Sequence, residues 1–263
     1  MDLGLEGKVA VVTGASKGIG LAVTRTFVEE GVSVVAGARE LSDELAALVA
    51  AGRPVRPVQL DLTTPDGPAR LVEEAVTAFG GLDVLVNNVG AVRPRPEGFL
   101  SIDDEEWAWS MTINFLAAVR SCRAALPHLL ARDGGAIVTT CSVNAFLPDP
   151  LVVDYSAAKG ALANFSKALS KEVGPRGVRV NTVSPGPVAT DLWLGESGVA
   201  SSVARASGGD PAAVAKQAAA ESATGRFTTP QEVADLIVML ASARAGNVTG
   251  ADFVIDGGLV QTL

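Results

Sequence analysis

Short β-branched apolar runs alternate with amphipathic stretches along the whole chain, and few folds accept that order. The runs fall at residues 8–13 (KVAVVT), 32–36, 54–60, 82–89, 136–141, 178–184 and 252–256. Continuous apolar runs of this length, stopping at Gly, Pro or Asp, suit parallel strands buried on both faces. Between them, helical spacing of apolar residues predicts helices from just after Gly20 to Gly31, then over 43–51, 66–79, 104–132, 154–173, 211–222 and 230–242, with Pro127 kinking or ending the fourth of these. This order predicts an α/β fold, a doubly wound parallel sheet flanked by helices. No repeat or Pro/Gly/Ser linker divides the 263 residues, so 1–263 reads as a single domain. The Gly- and Ser-containing stretch 195–209 reads as a mobile excursion from the core.

Composition narrows what such a domain can do. Hydrophobic residues make up 48% and charged residues 19%, which fits a compact globule. A net charge of −8 without a Lys/Arg cluster argues against a nucleic-acid surface. No apolar run reaches the ~18 residues of a membrane span, and the start, MDLGLEGKVAVVTGAS, has no basic segment leading into a long apolar one. The expectation is a soluble, cytoplasmic protein without membrane partners. Cys122 and Cys141 are too few for a disulfide framework or a metal cage and read as buried thiols. With His128 as the only histidine, reading as a surface or capping residue, no metal site is expected.

The turn after the first run is Thr13-Gly14-Ala15-Ser16-Lys17-Gly18-Ile19-Gly20. Glycines there let the backbone bend sharply and approach a ligand, while the following helix N-terminus offers free N–H groups to a pyrophosphate. The second run closes as Ala36-Gly37-Ala38-Arg39, with no carboxylate to receive a ribose 2′-hydroxyl. Arg39 suits a 2′-phosphate instead, with Lys17 in reach of the same group, which favours NADP(H) over NAD(H). Asp61, after the third run, suits either an adenine amino group or a turn cap. Further along, Cys141-Ser142 and then, after twelve residues, Tyr155-Ser156-Ala157-Ala158-Lys159 stand out. On a helix, a spacing of four puts the phenol and ammonium on one face. A cation there lowers a phenol pKa ordinarily near ~10. Tyr155 is the only tyrosine in the chain, so a phenolic acid has one candidate.

Together these motifs resemble the short-chain dehydrogenase/reductase family from Gly7 to about Gly258, and more specifically its NADP(H)-preferring ketoreductases. The resemblance rests on TGASKGIG, Asp61, Asn87-Asn88-Val89-Gly90, Asn114, Ser142, Tyr155-x-x-x-Lys159, Asn181, Pro185 to Thr190 and Asp256-Gly257-Gly258. It departs at Val89, where the family usually has alanine, and at Cys141 before the serine. It implies a Rossmann-type sheet of seven strands and a catalytic tetrad of Asn114, Ser142, Tyr155 and Lys159. In that scheme Tyr155 protonates the carbonyl oxygen as hydride arrives and Ser142 donates a second hydrogen bond. Lys159 lowers the Tyr155 pKa and holds the nicotinamide ribose, while Asn114 positions a water leading to Lys159.

The same resemblance assigns the cofactor to Gly14, Ser16, Lys17, Gly18, Ile19, Gly20, Arg39, Asp61, Leu62, Asn88, Gly90, Tyr155, Lys159, Pro185, Gly186, Val188 and Thr190. It assigns the substrate pocket to Val92, Val143, Phe146, Leu147, Leu151, Leu192 and Trp193, with Leu194 nearby, and a mobile substrate-loop region to 191–224. That apolar lining suits a bulky ketone. Arg93 and Arg95 are either solvated or available to an anionic substrate. The expectation is an NADPH-dependent carbonyl reductase, with a 3-oxoacyl-carrier-protein reductase, a secondary-alcohol dehydrogenase or a non-catalytic cofactor sensor as alternatives. The family also implies a homotetramer or homodimer.

Overall fold

The structure, a computed structural model, describes residues 1–132 and 134–262. Its seven parallel strands are β1 (Val9–Thr13), β2 (Ser33–Ala38), β3 (Val55–Gln59), β4 (Val84–Asn87), β5 (Gly135–Thr140), β6 (Val178–Pro185) and β7 (Asp252–Ile255). They lie in the order β3-β2-β1-β4-β5-β6-β7. The helices are α1 (Gly18–Glu29), α2 (Asp43–Ala50), α3 (Gly67–Phe79), α4 (Asp104–Met111), α5 (Ala117–Leu130), α6 (Val153–Val173), α7 (Asp191–Leu194), α8 (Val199–Ser207), α9 (Pro211–Ala220) and α10 (Pro230–Ala241). This is the parallel sheet flanked by helices expected from the alternating runs, with the seven-stranded Rossmann-type order that the resemblance implies.

Successive strand residues face opposite sides of the sheet, so each central strand supplies both cores. On one side Val12, Val34 and Val86 pack with Val23 and Phe27 of α1 and Ile237 and Leu240 of α10. On the other, Val11, Val35 and Leu85 pack with Leu71 of α3, Leu129 of α5 and Val173 of α6. Each such fully buried Leu, Ile or Phe contributes about 1.5–3 kcal/mol, so the sheet is held from both faces. Strand order reverses at β1, which lies between β2 and β4. Connections there leave in opposite directions and open a crevice beyond the strands' C-terminal ends.

Local features refine or depart from the sequence expectation. The predicted helix 104–132 is two helices joined by a π-helical turn, Thr112–Leu116, centred on Asn114. Pro127 does not end α5, which runs to Leu130. Near a helix end a missing N–H removes one bond, and few turns remain to be disrupted. The stretch 195–209 contains α8, which buries Val199, Ala200 and Ala204 on one side. Finally, Val188 and Thr228 form an isolated parallel bridge. The Ala189 N–H donates to Thr228 O at 2.9 Å and the Thr228 N–H to Pro187 O at 3.0 Å, so residues 189–227 form an excursion between β6 and α10 that is pinched at its neck.

Candidate active site

A cavity of about 1030 Å³ occupies the crevice and runs from the glycine-rich turn to α8 and α9. At its first end, Gly14 and Gly18 adopt left-handed φ values of 67° and 54°. A Cβ on Gly20 would stand 2.1 Å from Gly14 O, so the turn and the start of α1 pack closer than any side chain allows. No side chain caps the N-terminus of α1, which leaves its first N–H groups for a ligand in the cavity. Asn88 holds this cradle in place. Its Nδ2 donates to Thr13 O at 3.1 Å and Gly14 O at 3.3 Å, and its N–H donates to Thr13 Oγ1 at 2.8 Å.

The cradle therefore fits the phosphates of a dinucleotide. Ser16, Lys17, Ile19, Arg39, Asp61, Leu62, Gly90, Pro185, Gly186, Val188 and Thr190 line the same cavity. Asp61 acts as the turn cap, its Oδ1 accepting from the Thr63 N–H at 2.9 Å and Thr63 Oγ1 at 2.8 Å. Those bonds hold its carboxyl below the usual range. Lys17 pairs at 3.3 Å with Asp191 across the cavity mouth, and both side chains are largely exposed. The exposed Arg39 has no ion pair among the described residues and is the better 2′-phosphate candidate.

The α6 helix places Tyr155 and Lys159 on one face, as the spacing requires, and both reach the cavity with Ser142 from the end of β5. The expected lowering of the Tyr155 pKa is not found. Burial pushes the phenol up to about 12, although the Ser142 hydroxyl beside it acts in the opposite direction. Burial likewise lowers the Lys159 pKa. The Lys159 Nζ lies 5.6 Å from the Tyr155 ring centroid and donates to Thr140 O at 2.9 Å. Desolvation of the phenolate thus outweighs a cation at that distance.

Asn114 is buried behind this wall. Its Oδ1 accepts from the Ala91 N–H at 3.0 Å, and its Nδ2 donates to Ala91 O at 2.9 Å and Ser110 O at 3.1 Å. The side chain is spent on fixing the 90–91 loop. A Cβ on Gly90 would stand 3.1 Å from Asn114 Oδ1 and 3.6 Å from Lys159 Nζ, so that loop lies against Lys159.

Val92, Val143, Leu147, Leu151, Leu192 and Trp193, the residues the resemblance assigns to a substrate pocket, line the same cavity. Phe146 does not: it lies outside the lining and is 47% exposed. Leu194 is also outside it, at 50% exposure. Trp193 additionally meets Phe227 edge-on at 5.3 Å. Arg93 and Arg95 do not face the cavity. Arg93 lies 3.7 Å over the Trp109 ring and pairs with Glu106 at 2.7 Å. Arg95, only 11% exposed, pairs with Glu106 at 2.6 Å and with Asp154 at 2.7 Å. The lining also includes Asn144, Val203, Val214 and Gln217, which sequence reasoning missed. The first stands two residues after Ser142 and could have been flagged by that spacing. The rest sit on α8 and α9, one of them an unrecognised helix.

Cys122 and Cys141 are buried free thiols, as expected. Among the described residues there is no His/Cys/Asp/Glu group that could hold a metal, and no helix long and apolar enough to cross a membrane.

A model of the short chain dehydrogenase family matches residues 8–198. The chain is 34% identical over 261 residues to the 3-oxoacyl-acyl-carrier-protein reductase FabG of Thermotoga maritima, covering 97% of this chain and 99% of that one. To 3beta-hydroxysteroid dehydrogenase 1 of Eggerthella lenta it is 35% identical over 264 residues, 97% of this chain and 94% of the other. The crystal structure of L-sorbose reductase from Gluconobacter frateurii, complexed with NADPH and L-sorbose, matches with a TM-score of 0.91 and 37% identity over 100% of both chains. With this match, the seven-stranded sheet and the Ser142, Tyr155 and Lys159 cavity wall in hand, the chain belongs to the short-chain dehydrogenase/reductase family, oxidoreductases acting on CH–OH and C=O groups.

Proposed function

We propose that the chain is an NADPH-dependent carbonyl reductase acting on a bulky, mostly apolar ketone, with Tyr155 as proton donor. The observation that carries this reading is one continuous cavity joining the glycine cradle, the Ser142, Tyr155 and Lys159 wall, and an apolar end at Leu147, Leu151, Leu192 and Trp193. When bound, the reduced nicotinamide supplies the hydride. The residues of this chain do the rest. Ser142 orients the carbonyl oxygen by a hydrogen bond, and Tyr155 Oη gives up its proton as that oxygen gains charge. Lys159 fixes the ribose side of the wall, and Asn114 keeps Gly90 against it. The apolar end excludes water from the reacting carbon.

Two features support NADPH: Arg39 at the close of β2, and the NADPH complex of the similar L-sorbose reductase. A carrier-borne acyl substrate has less support, because Arg93 and Arg95 are engaged in ion pairs away from the cavity. A second reading, a hydroxyl-rich ketone, is favoured by the amides of Asn144 and Gln217 in the lining. The proposal extends to a cytoplasmic homodimer or homotetramer whose 191–224 segment moves over the cavity.

Fluorescence titration with NADPH and NADH, followed by NADPH consumption across a panel of apolar and hydroxylated ketones, tests the reading. In Arg39→Ala the preference for NADPH should shrink by roughly tenfold or more, as a charged hydrogen-bonding partner of a phosphate is worth about 1.5–3 kcal/mol. An unchanged cofactor ratio in that variant would remove Arg39 from the argument. A phenol held protonated also sets the pH behaviour. Reduction needs the neutral phenol and should stay nearly flat from about pH 6 to about pH 9, whereas oxidation of the alcohol needs phenolate and should climb through that range. Initial rates in both directions check this, and an oxidation optimum near neutrality would contradict it.

A further inference from the structure

The hydroxyl of Ser142 has one proton and more than one place to send it. Ser142 Oγ donates to Asn144 Oδ1 at 3.1 Å, while the Asn144 main-chain N–H donates back to Ser142 Oγ at 3.1 Å. Ser142 is the extended residue that starts a short 3₁₀ turn, Val143–Ala145, and this turn brings the Asn144 carboxamide over the serine. Asn144 is half-buried and lines the cavity beside Tyr155. Among these atoms, three oxygens compete for the serine proton: Asn144 Oδ1, Tyr155 Oη and the carbonyl oxygen of a bound substrate.

We propose that Asn144 is a positioning residue that draws the Ser142 proton away from Tyr155 while no substrate is bound, and so adds to what burial already does in holding the phenol in its acid form. The inference rests on the reading of Tyr155 as the proton donor. A hydrogen bond from Ser142 stabilises phenolate, so whichever group takes that proton modulates the acidity that burial sets. Substrate binding then exchanges one acceptor for another. The carboxamide oxygen gives way to the carbonyl oxygen, and the N–H bond from the Asn144 main chain holds Oγ in place throughout. No bond to carbon forms or breaks in this exchange.

The other titratable groups around Tyr155 are Lys159 on its own helix and Cys141 at the end of β5, with Asp252 of β7 beyond the thiol. Asp154, next in sequence, is turned to Arg95. None of these changes when Asn144 is replaced, so a change in Tyr155 acidity reports on the carboxamide.

Because Tyr155 is the only tyrosine, tyrosinate absorbance reads this one phenol. After a rapid jump of the full chain to about pH 11, Asn144→Ala should raise the ionised fraction roughly three- to fivefold, since the freed Ser142 proton turns to Tyr155. Asn144→Asp should lower it, because a carboxylate accepts the proton more strongly and repels a phenolate. Circular dichroism recorded before the jump confirms that each variant is folded. Opposite shifts support the inference. Shifts of the same sign, or none in either variant, overturn it, because loosened packing would move both alike. The functional reading fails separately, by undiminished ketone turnover in Tyr155→Phe.

Discussion

Tyr155→Phe should lower ketone reduction by about 10²–10⁴-fold, the range a positioned acid contributes, and leave NADPH affinity within a few-fold of the parent. The separation follows from where the phenol sits. It shares the wall with Ser142 and Lys159, while the cradle is built by Gly14, Gly18, Gly20 and Asn88 on other elements. Removing one hydroxyl takes away the proton and leaves the cradle intact. Single-turnover rates with the cofactor already bound measure the chemical step, and fluorescence titration measures binding. If the variant keeps its parent's single-turnover rate, the proton comes from elsewhere.

Arg95→Ala should destabilise the fold by about 3–5 kcal/mol, because it leaves the Asp154 carboxylate buried without its cation. Asp154 is only 2% exposed at the side chain, and Arg95 reaches it at 2.7 Å from the loop after β4. The Arg95 N–H also donates to Leu151 O at 2.7 Å, which ties the same loop to the turn before α6. A thermal melt should show a drop on the order of 10 °C for a chain of this size. The double variant Arg95→Met with Asp154→Leu should recover most of that loss, since an apolar pair of similar volume needs no counter-charge. A single variant that melts with the parent would mean that water reaches Asp154 and the pair is solvated. Asp154 directly precedes Tyr155, so activity in the single variant should fall further than stability alone accounts for.

The fate of Arg95 shows where sequence reasoning reaches its limit. Residues 93–97 read as a charged, proline-containing loop, and nothing local says that a carboxylate 59 positions away will meet one of those arginines underground. The strands were legible because their apolar runs are unbroken and stop at glycine, proline or a polar residue. The glycine cradle was legible because its spacing is dictated by contacts within one turn. Lys159 was correctly put on the face of Tyr155 by helical periodicity, yet periodicity carries no information on burial, and burial decides the acidity of the phenol. Phe146 was assigned to the pocket by the resemblance, as an apolar residue between Ser142 and Tyr155, but it follows the 3₁₀ turn after Ser142 and is 47% exposed. The α8 helix hid within a stretch whose Gly198, Ser201 and Ser202 mimic loop composition.

The bridge between Val188 and Thr228 brings the two ends of residues 189–227 to the same point. Much of the far cavity wall lies in this segment, which is pinched at its base and tied a second time where the Thr224 N–H donates to Gly257 O at 3.0 Å. Insertions and deletions within a segment whose ends are already joined need not disturb the register of β6 or the packing of α10. Most of this wall and the trio Ser142, Tyr155 and Lys159 thus lie on separate parts of the chain, one a pinched segment and the other the end of β5 and α6.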